Sequence, residues 1–243
     1  MCGRYAAVAS EGTLVDLFGL DAVLDAPPPP NYNIAPTDPV PAVWTRPARD
    51  GAGQGRQRQL TALRWGLVPS WATASTGGAR LINARLESVA DKPSFRRALD
   101  VRRCLLPALG YYEWYTVTDR ATGRTRKQPV FLRPGSGGLF VMAGLYEFWR
   151  DPAAGAGDQW LRTCAIITTR AADSIGHVHD RMPVTVPPDR WGDWLAPDVA
   201  GRIAVGMVNA EPGADIVAYE VAPLVNRVGT NGPELVEPLT GRE

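Results

Sequence analysis

Short apolar runs separated by Gly-rich turns dominate the chain, and they mark strands more often than helices. Val40–Trp44 and Leu60–Trp65 read as strands, as do Gln128–Leu132, Leu139–Phe148 and Trp160–Thr169, with Gly-rich turns between them. Cys104-Leu105-Leu106-Pro107 leads into an aromatic run, Gly110-Tyr111-Tyr112-Glu113-Trp114. Helical patterning is confined to short pieces. Ser10 followed by Glu11 to Phe18 reads as a capped amphipathic helix, Ser94–Leu99 as a short helix and Asp189–Leu195 as a helical turn. Pro27 to Pro30 form a stiff surface linker. Arg46–Gln59, rich in Gly, Arg and Gln, reads as a hairpin loop. Strands outnumber helices and do not alternate with them. That argues α+β, with a mostly antiparallel, barrel-like β core flanked by short helices. No composition break or repeat divides the chain, so residues 1–243 are expected to form a single domain.

Composition narrows the class. Of 243 residues, 45% are hydrophobic and 21% charged, as in a globular protein with a sizeable core. No apolar run approaches the ~20 residues of a membrane span, and no signal-peptide pattern opens the chain, so a cytoplasmic protein without membrane contact is expected. Cys2, Cys104 and Cys164 are too widely spaced for a disulfide framework or a CxxC metal pattern. With only His177 and His179 beside them, neither a metal nor a cofactor is expected. The net charge of +1 does not announce a nucleic-acid binder. Lys92 and Lys127 are the only lysines among 26 basic residues. Arginine suits bidentate phosphate contact, although a GC-rich genome gives the same bias.

The candidate chemistry begins at Met1-Cys2-Gly3-Arg4. Removal of Met1 leaves Cys2 with a free α-amine beside its thiol. A 1,2-aminothiol condenses with an aldehyde to an imine, and its sulfur then closes a thiazolidine. Both groups titrate at about pH 8–8.5, so both are partly nucleophilic at neutral pH. The alternative is a structural cysteine at the start of a buried strand. Glu113 lies between Tyr112 and Trp114, where burial would raise its pKa and suit it to proton transfer; a strand-end carboxylate facing water is the alternative. His179, in His179-Asp180-Arg181-Met182-Pro183, offers an acid/base group or a phosphate contact, or is a plain loop histidine. Asn83 and Arg85 set an amide and a guanidinium on one side of an extended segment; an Asx turn with an Arg85–Glu87 ion pair explains them equally. Trp65 and Trp71 flank Gly66-Leu67-Val68-Pro69-Ser70. Exposed, they stack on bases; buried, they are core.

The order of the motifs says more than any one of them. Met1-Cys2-Gly3-Arg4, Asn33-Ile34-Ala35-Pro36, Trp65 to Trp71, Asn83-Ala84-Arg85-Leu86-Glu87, Tyr111 to Trp114, Ala143-Gly144-Leu145 and His179 to Pro183 closely resemble the SRAP family, the SOS response-associated peptidases. The likeness runs from Cys2 to Pro183 and on to Val225-Asn226. Arg46–Gln59 and Asp151–Gln159 depart from it as extended loops. The resemblance implies an abasic-site sensor that cross-links to single-stranded DNA through Cys2 and has an associated peptidase activity that removes Met1. It assigns proton relay to Glu113, sugar opening or phosphate holding to His179, and orientation of the Cys2 terminus to Asn83. Arg4, Arg85 and Arg181, with Trp65 and Trp71, would hold the DNA. It implies a cytoplasmic monomer, nucleoid-associated when bound to DNA. Two other classes remain open. An amidohydrolase with an N-terminal nucleophile, like the class II glutamine amidotransferases, also begins Met-Cys-Gly. A non-enzymatic single-strand binding module needs no reactive Cys2.

Overall fold

The computed structural model describes residues 2–47, 55–118, 122–153, 160–208 and 215–239. The strands in chain order are β1 (Tyr5–Ala7), β2 (Ala22–Val23), β3 (Asn31–Ile34), β4 (Pro39–Pro47), β5 (Arg56–Trp65), β6 (Asn83–Arg85), β7 (Arg103–Ala108), β8 (Gly110–Thr118), β9 (Thr125–Pro134), β10 (Phe140–Trp149), β11 (Leu161–Arg170), β12 (Arg181–Pro183) and β13 (Ile216–Glu220). The helices are α1 (Glu11–Phe18), α2 (Arg96–Val101), α3 (Asp173–Gly176), α4 (Trp191–Leu195) and α5 (Gly201–Val208). The class is α+β, a single mostly antiparallel domain with short helices, as the excess of strands over helices predicts.

Two sheets form. One has the order β13-β9-β8-β1-β3. The other runs β12-β11-β10-β7-β4-β5-β2. It curls onto itself, because β11 also pairs in parallel with β5, Cys164 opposite Trp65. That pairing closes a ring of β11, β10, β7, β4 and β5. Alternation gives each ring strand two apolar faces. On β10, Val141, Ala143 and Leu145 pack with Leu14 and Phe18 of α1, Leu99 of α2 and Trp194 of α4. Met142 and Tyr146 pack instead with Tyr5, Tyr111 and Leu132 of the β13-β9-β8-β1-β3 sheet.

Local signals explain the ends of several elements. The Ser10 hydroxyl accepts from the Thr13 amide at 3.2 Å and caps α1. Gly19 closes the same helix with φ 56°, a left-handed conformation that glycine adopts freely. At Gly66, φ is 127°, and a Cβ there would lie 2.7 Å from the carbonyl oxygen of Gly78, so only glycine lets the two backbones approach.

The stretch expected as a loop between β4 and β5 is shorter than the composition suggests. Strand pairing continues to Arg46 opposite Gln57 and Pro47 opposite Arg56. Residues 48–54 of that stretch, and 154–159 of the second extended loop, lie outside the described residues.

Arg103 is a buried cation that ties the helical layer together. Its guanidinium donates to the carbonyls of Leu99 (2.5 Å) and Asp100 (3.0 Å) near the end of α2, to those of Trp194 (2.6 Å) and Ala196 at the end of α4, and to that of Val199 (3.0 Å). The carbonyl ends of two helices supply the negative potential that a carboxylate would otherwise provide. Arg103→Met keeps the length but strands these carbonyls. A loss of about 3 kcal/mol or more is expected, since hydrogen bonds to charged groups contribute about 1.5–3 kcal/mol each. In a chain of this size a melt would move down by roughly 6–12 °C. A shift below 2 °C would contradict this account.

Candidate active site

The site is assembled where the two sheets meet over the start of the chain. β1 pairs with β8, Tyr5 opposite Tyr111. The Tyr112 amide donates to the Arg4 carbonyl at 2.9 Å, so the same register continues towards the terminus and brings Gly3 across from Glu113. Cys2 follows into the core and is fully buried. Asn83 arrives from β6, which pairs in parallel with β11. Its side-chain amide donates to the Cys2 carbonyl at 2.8 Å. Its Oδ1 is buried with no hydrogen-bond partner among the described residues. His179 comes from the turn before β12.

Glu113 is only 4% exposed. Burial pushes its carboxyl up to about 7, and the charge of Asp180 adds to the rise. Its Oε2 lies 4.0 Å from His179 Nε2. The Arg181 backbone amide donates to His179 Nδ1 at 3.0 Å. Asp180 Oδ1 is also 3.0 Å from that nitrogen. The amide hydrogen is fixed by the backbone, so Nδ1 is the acceptor. The neutral ring then carries its proton on Nε2, the nitrogen facing Glu113. Burial, first among the causes, lowers the His179 pKa and favours this neutral form. The Cys2 thiol is pushed well above its ordinary value, first by burial and then by the charge of Glu113. With the chain starting at Met1, the Cys2 nitrogen is a peptide amide; removal of Met1 makes it an amine.

Cys2, Asn83, Glu113 and His179 therefore come together. The residues expected to hold DNA divide into two groups. Arg85 is exposed on β6 and lines a cleft of about 500 Å³ with Arg170, Arg181 and Asp180. Trp71 is 66% exposed. Trp65 is a correction: it is fully buried at the end of β5, with its indole N–H bonded to the Ile82 carbonyl at 3.0 Å and its ring edge-on to Tyr5. It continues the inward face of Leu63 and cannot stack on a base. Arg181 is also committed within the fold. Its guanidinium grips Glu87 with two bonds of 2.7 and 3.0 Å and donates to the Thr168 carbonyl at 2.6 Å. That fork holds the Glu87 carboxyl below its usual range. The ion pair considered for Arg85 thus belongs to Arg181. Arg4 spends one nitrogen on Asn33 Oδ1 (2.7 Å) and the Val225 carbonyl (2.9 Å), and lies over the Trp114 ring.

Two contributors escape sequence reasoning. Arg170 lines the cleft because β11 ends there, paired to Arg181 of β12. A lone arginine after an apolar strand was its only signal. Asn33 binds the Arg227 and Thr230 carbonyls at 3.0 and 2.9 Å, and so clamps the C-terminal segment beside Arg4. The motif Asn33-Ile34-Ala35-Pro36 held that residue, without its role.

Among the described residues no three His, Cys, Asp or Glu side chains group to hold a metal, and no helix is long and apolar enough to cross a membrane.

An α+β protein whose two sheets meet over its own second residue is what the fold and site define. The chain belongs to the SOS response associated peptidase (SRAP) family, whose model matches residues 1–228. It is 34% identical to the abasic site processing protein YoqW of Bacillus subtilis, over 98% of this chain and 99% of that one. It is 28% identical to the abasic site processing protein HMCES of Mus musculus, over 86% of this chain and 65% of that one. A protein of Bacteroides thetaiotaomicron solved by X-ray crystallography shares the fold with a TM-score of 0.77, at 21% identity, covering 98% of this chain and 99% of that one.

Proposed function

We propose that this chain senses abasic sites in single-stranded DNA and captures them covalently through Cys2 once Met1 has been removed. One observation carries the reading: a buried carboxylic acid of raised pKa, Glu113, stands with His179 beside a cysteine that Asn83 holds by its carbonyl. The names of the relatives support the choice of lesion.

The opened deoxyribose of an abasic site presents an aldehyde at C1′. The Cys2 amine adds to it and gives a carbinolamine. Glu113, near half-protonated at neutral pH, supplies the proton with which the hydroxyl leaves as water, and an iminium remains. The carboxylate then accepts the thiol proton of Cys2. The sulfur adds to the iminium carbon, the C=N pair returns to nitrogen, and the thiazolidine closes with net loss of one water. His179, with its proton on Nε2, assists sugar opening or holds the adjacent phosphate. Asn83 fixes the terminus. Paired and stacked duplex keeps C1′ from a nucleophile seated this deep, so single strands are the preferred substrate.

The test is incubation with a single-stranded oligonucleotide carrying one abasic site, followed by denaturing electrophoresis. A stable shifted band is the expected result. No band, with glutamine hydrolysed in a parallel assay, would transfer the chain to the amidohydrolases.

Arg85 faces the cleft and contributes one phosphate contact in this reading. Arg85→Ala should flatten the salt dependence of affinity by about one phosphate equivalent without changing base preference. An unchanged slope would remove Arg85 from the DNA path.

A further inference from the structure

Tyr111 stands two residues before Glu113 on β8, and alternation turns both side chains to the same face. That face packs into the cluster that holds Cys2 and Tyr5. Tyr112, between them, turns the other way towards Ala6 and Phe131. The Tyr111 ring is held by Phe140, with centroids 5.9 Å apart, and is 1% exposed. Its hydroxyl is buried and has no hydrogen-bond partner among the described residues. Buried hydroxyls are almost always paired, so an unpaired one beside a reactive centre calls for a reason. After burial itself, the groups that act most on this hydroxyl are Cys2 and then Glu113. The Tyr5 hydroxyl is also buried and unpaired, but Cys164 acts on it ahead of Cys2. The Tyr5 ring packs edge-on against Trp65, whereas Tyr111 shares its strand face with Glu113, so Tyr111 is the one that serves the site.

We propose that the Tyr111 hydroxyl is the hydrogen-bond donor to the Cys2 sulfur in the ring-closing step. The inference rests on the cross-linking reading above. Ring closure asks a buried thiol to give up its proton. The developing thiolate lies away from water, and a buried anion needs a donor. The phenol O–H lies on the strand face of Glu113 and has no partner among the described residues to give up as the sulfur closes on C1′. Glu113 takes the thiol proton, the C–S bond forms at the iminium carbon, and the C=N pair passes to nitrogen. Tyr111 ends with its own proton, and no electrons are exchanged. The step before, condensation of the amine with the aldehyde, makes no demand on the sulfur, so it makes none on Tyr111.

That separation gives the test. Tyr111→Phe keeps the ring and its packing on Phe140 and removes one oxygen. The protein, with Met1 removed, is mixed with the single-stranded abasic oligonucleotide, and two products are followed. Cyanoborohydride traps the imine; the stable adduct formed without reductant reports ring closure. Trapping by the variant should match wild type within about twofold. Ring closure should slow about 100-fold, the low end of what loss of a preorganised donor costs. Tyr112→Phe, an equal deletion on the opposite face, should leave both rates near wild type. Equal ring closure by Tyr111→Phe and wild type between pH 6 and 9 would overturn the assignment and leave cross-linking standing. Equal slowing of both products would also overturn it, because a distorted site slows both. A wild-type protein that forms no stable adduct would remove the parent reading, and this inference with it.

Discussion

Cys2→Ala is expected to reduce the stable DNA adduct to background. Ring closure needs a sulfur on the β-carbon of the residue that carries the free amine, and no other cysteine can supply one. Cys104 and Cys164 are both fully buried within strands of the closed ring, and each has a thiol raised by burial. Cys2→Ser should lose the thiazolidine as well, because its oxygen counterpart opens readily in water. Both variants keep an α-amine after Met1 removal, so both should still give a reductant-trapped imine. That result would separate loss of the nucleophilic sulfur from loss of the site. The substitution itself deletes a single atom, and a fold cost near 1 kcal/mol is the usual scale for such a change. Intact-mass measurement belongs with the assay. An active preparation should lack one methionine, since an amide nitrogen at Cys2 cannot condense with an aldehyde. A full-strength stable adduct from Cys2→Ala, or activity with Met1 retained, would require a different nucleophile.

The sequence carried more of the site than of its surroundings. Cys2, Asn83, Glu113 and His179 come from distant parts of the chain, and the order of the motifs that hold them singled them out where each alone had a structural explanation. The backbone then joins them by pairings no local pattern contains: β1 on β8, β6 on β11. The strand β6 is itself such a case. Three residues with one buried side chain show no periodicity, and only the edge of β11 makes them a strand. The arginines were the harder problem. Charge alone offered Arg4, Arg85 and Arg181 equally to phosphate. What separates them is the partner: Glu87 lies 94 positions from Arg181, and Asn33 lies 29 from Arg4. Arg85 has no such partner among the described residues and stays at the surface. The two tryptophans of one motif divide for a related reason. Trp65 ends β5 on the face that Leu63 already buries, whereas Trp71 follows the turn at Pro69 and leaves the sheet. Reading the alternation one step further would have separated them. Nothing local pointed to the third case, Arg103, because its partners are backbone carbonyls brought together by two helix ends.

Glu113→Gln should make the protein slower and more stable at once. The amide keeps the size and most of the hydrogen bonding of the acid but exchanges no proton. Loss of a general acid–base group costs about 10²–10⁴ in rate. The loss should appear in the rate at saturating DNA and leave affinity nearly unchanged. The stability change follows from the raised pKa. The ordinary carboxyl value is 4.5, and burial brings it to about 7 in the folded chain. Between these values the folded state binds the proton and the unfolded state does not, so wild-type stability falls as pH rises through that window. Above pH 7 the penalty of a buried carboxylate is fully present. Each pH unit between the two values is worth about 1.4 kcal/mol, which puts the penalty on the order of 3 kcal/mol. Glutamine is neutral throughout and escapes it. Relative to wild type, Glu113→Gln should gain little at pH 4.5 and most at pH 8, where a melt would rise by roughly 6–12 °C. The two readouts test different parts of the claim. An unchanged rate would make Glu113 a structural residue. A melt that does not separate from wild type between pH 5 and 8 would mean that the carboxyl titrates as an ordinary one, and a proton relay at neutral pH would lose its physical basis. Slower and more stable together is the pattern of a group kept at a cost to the fold for the work it does.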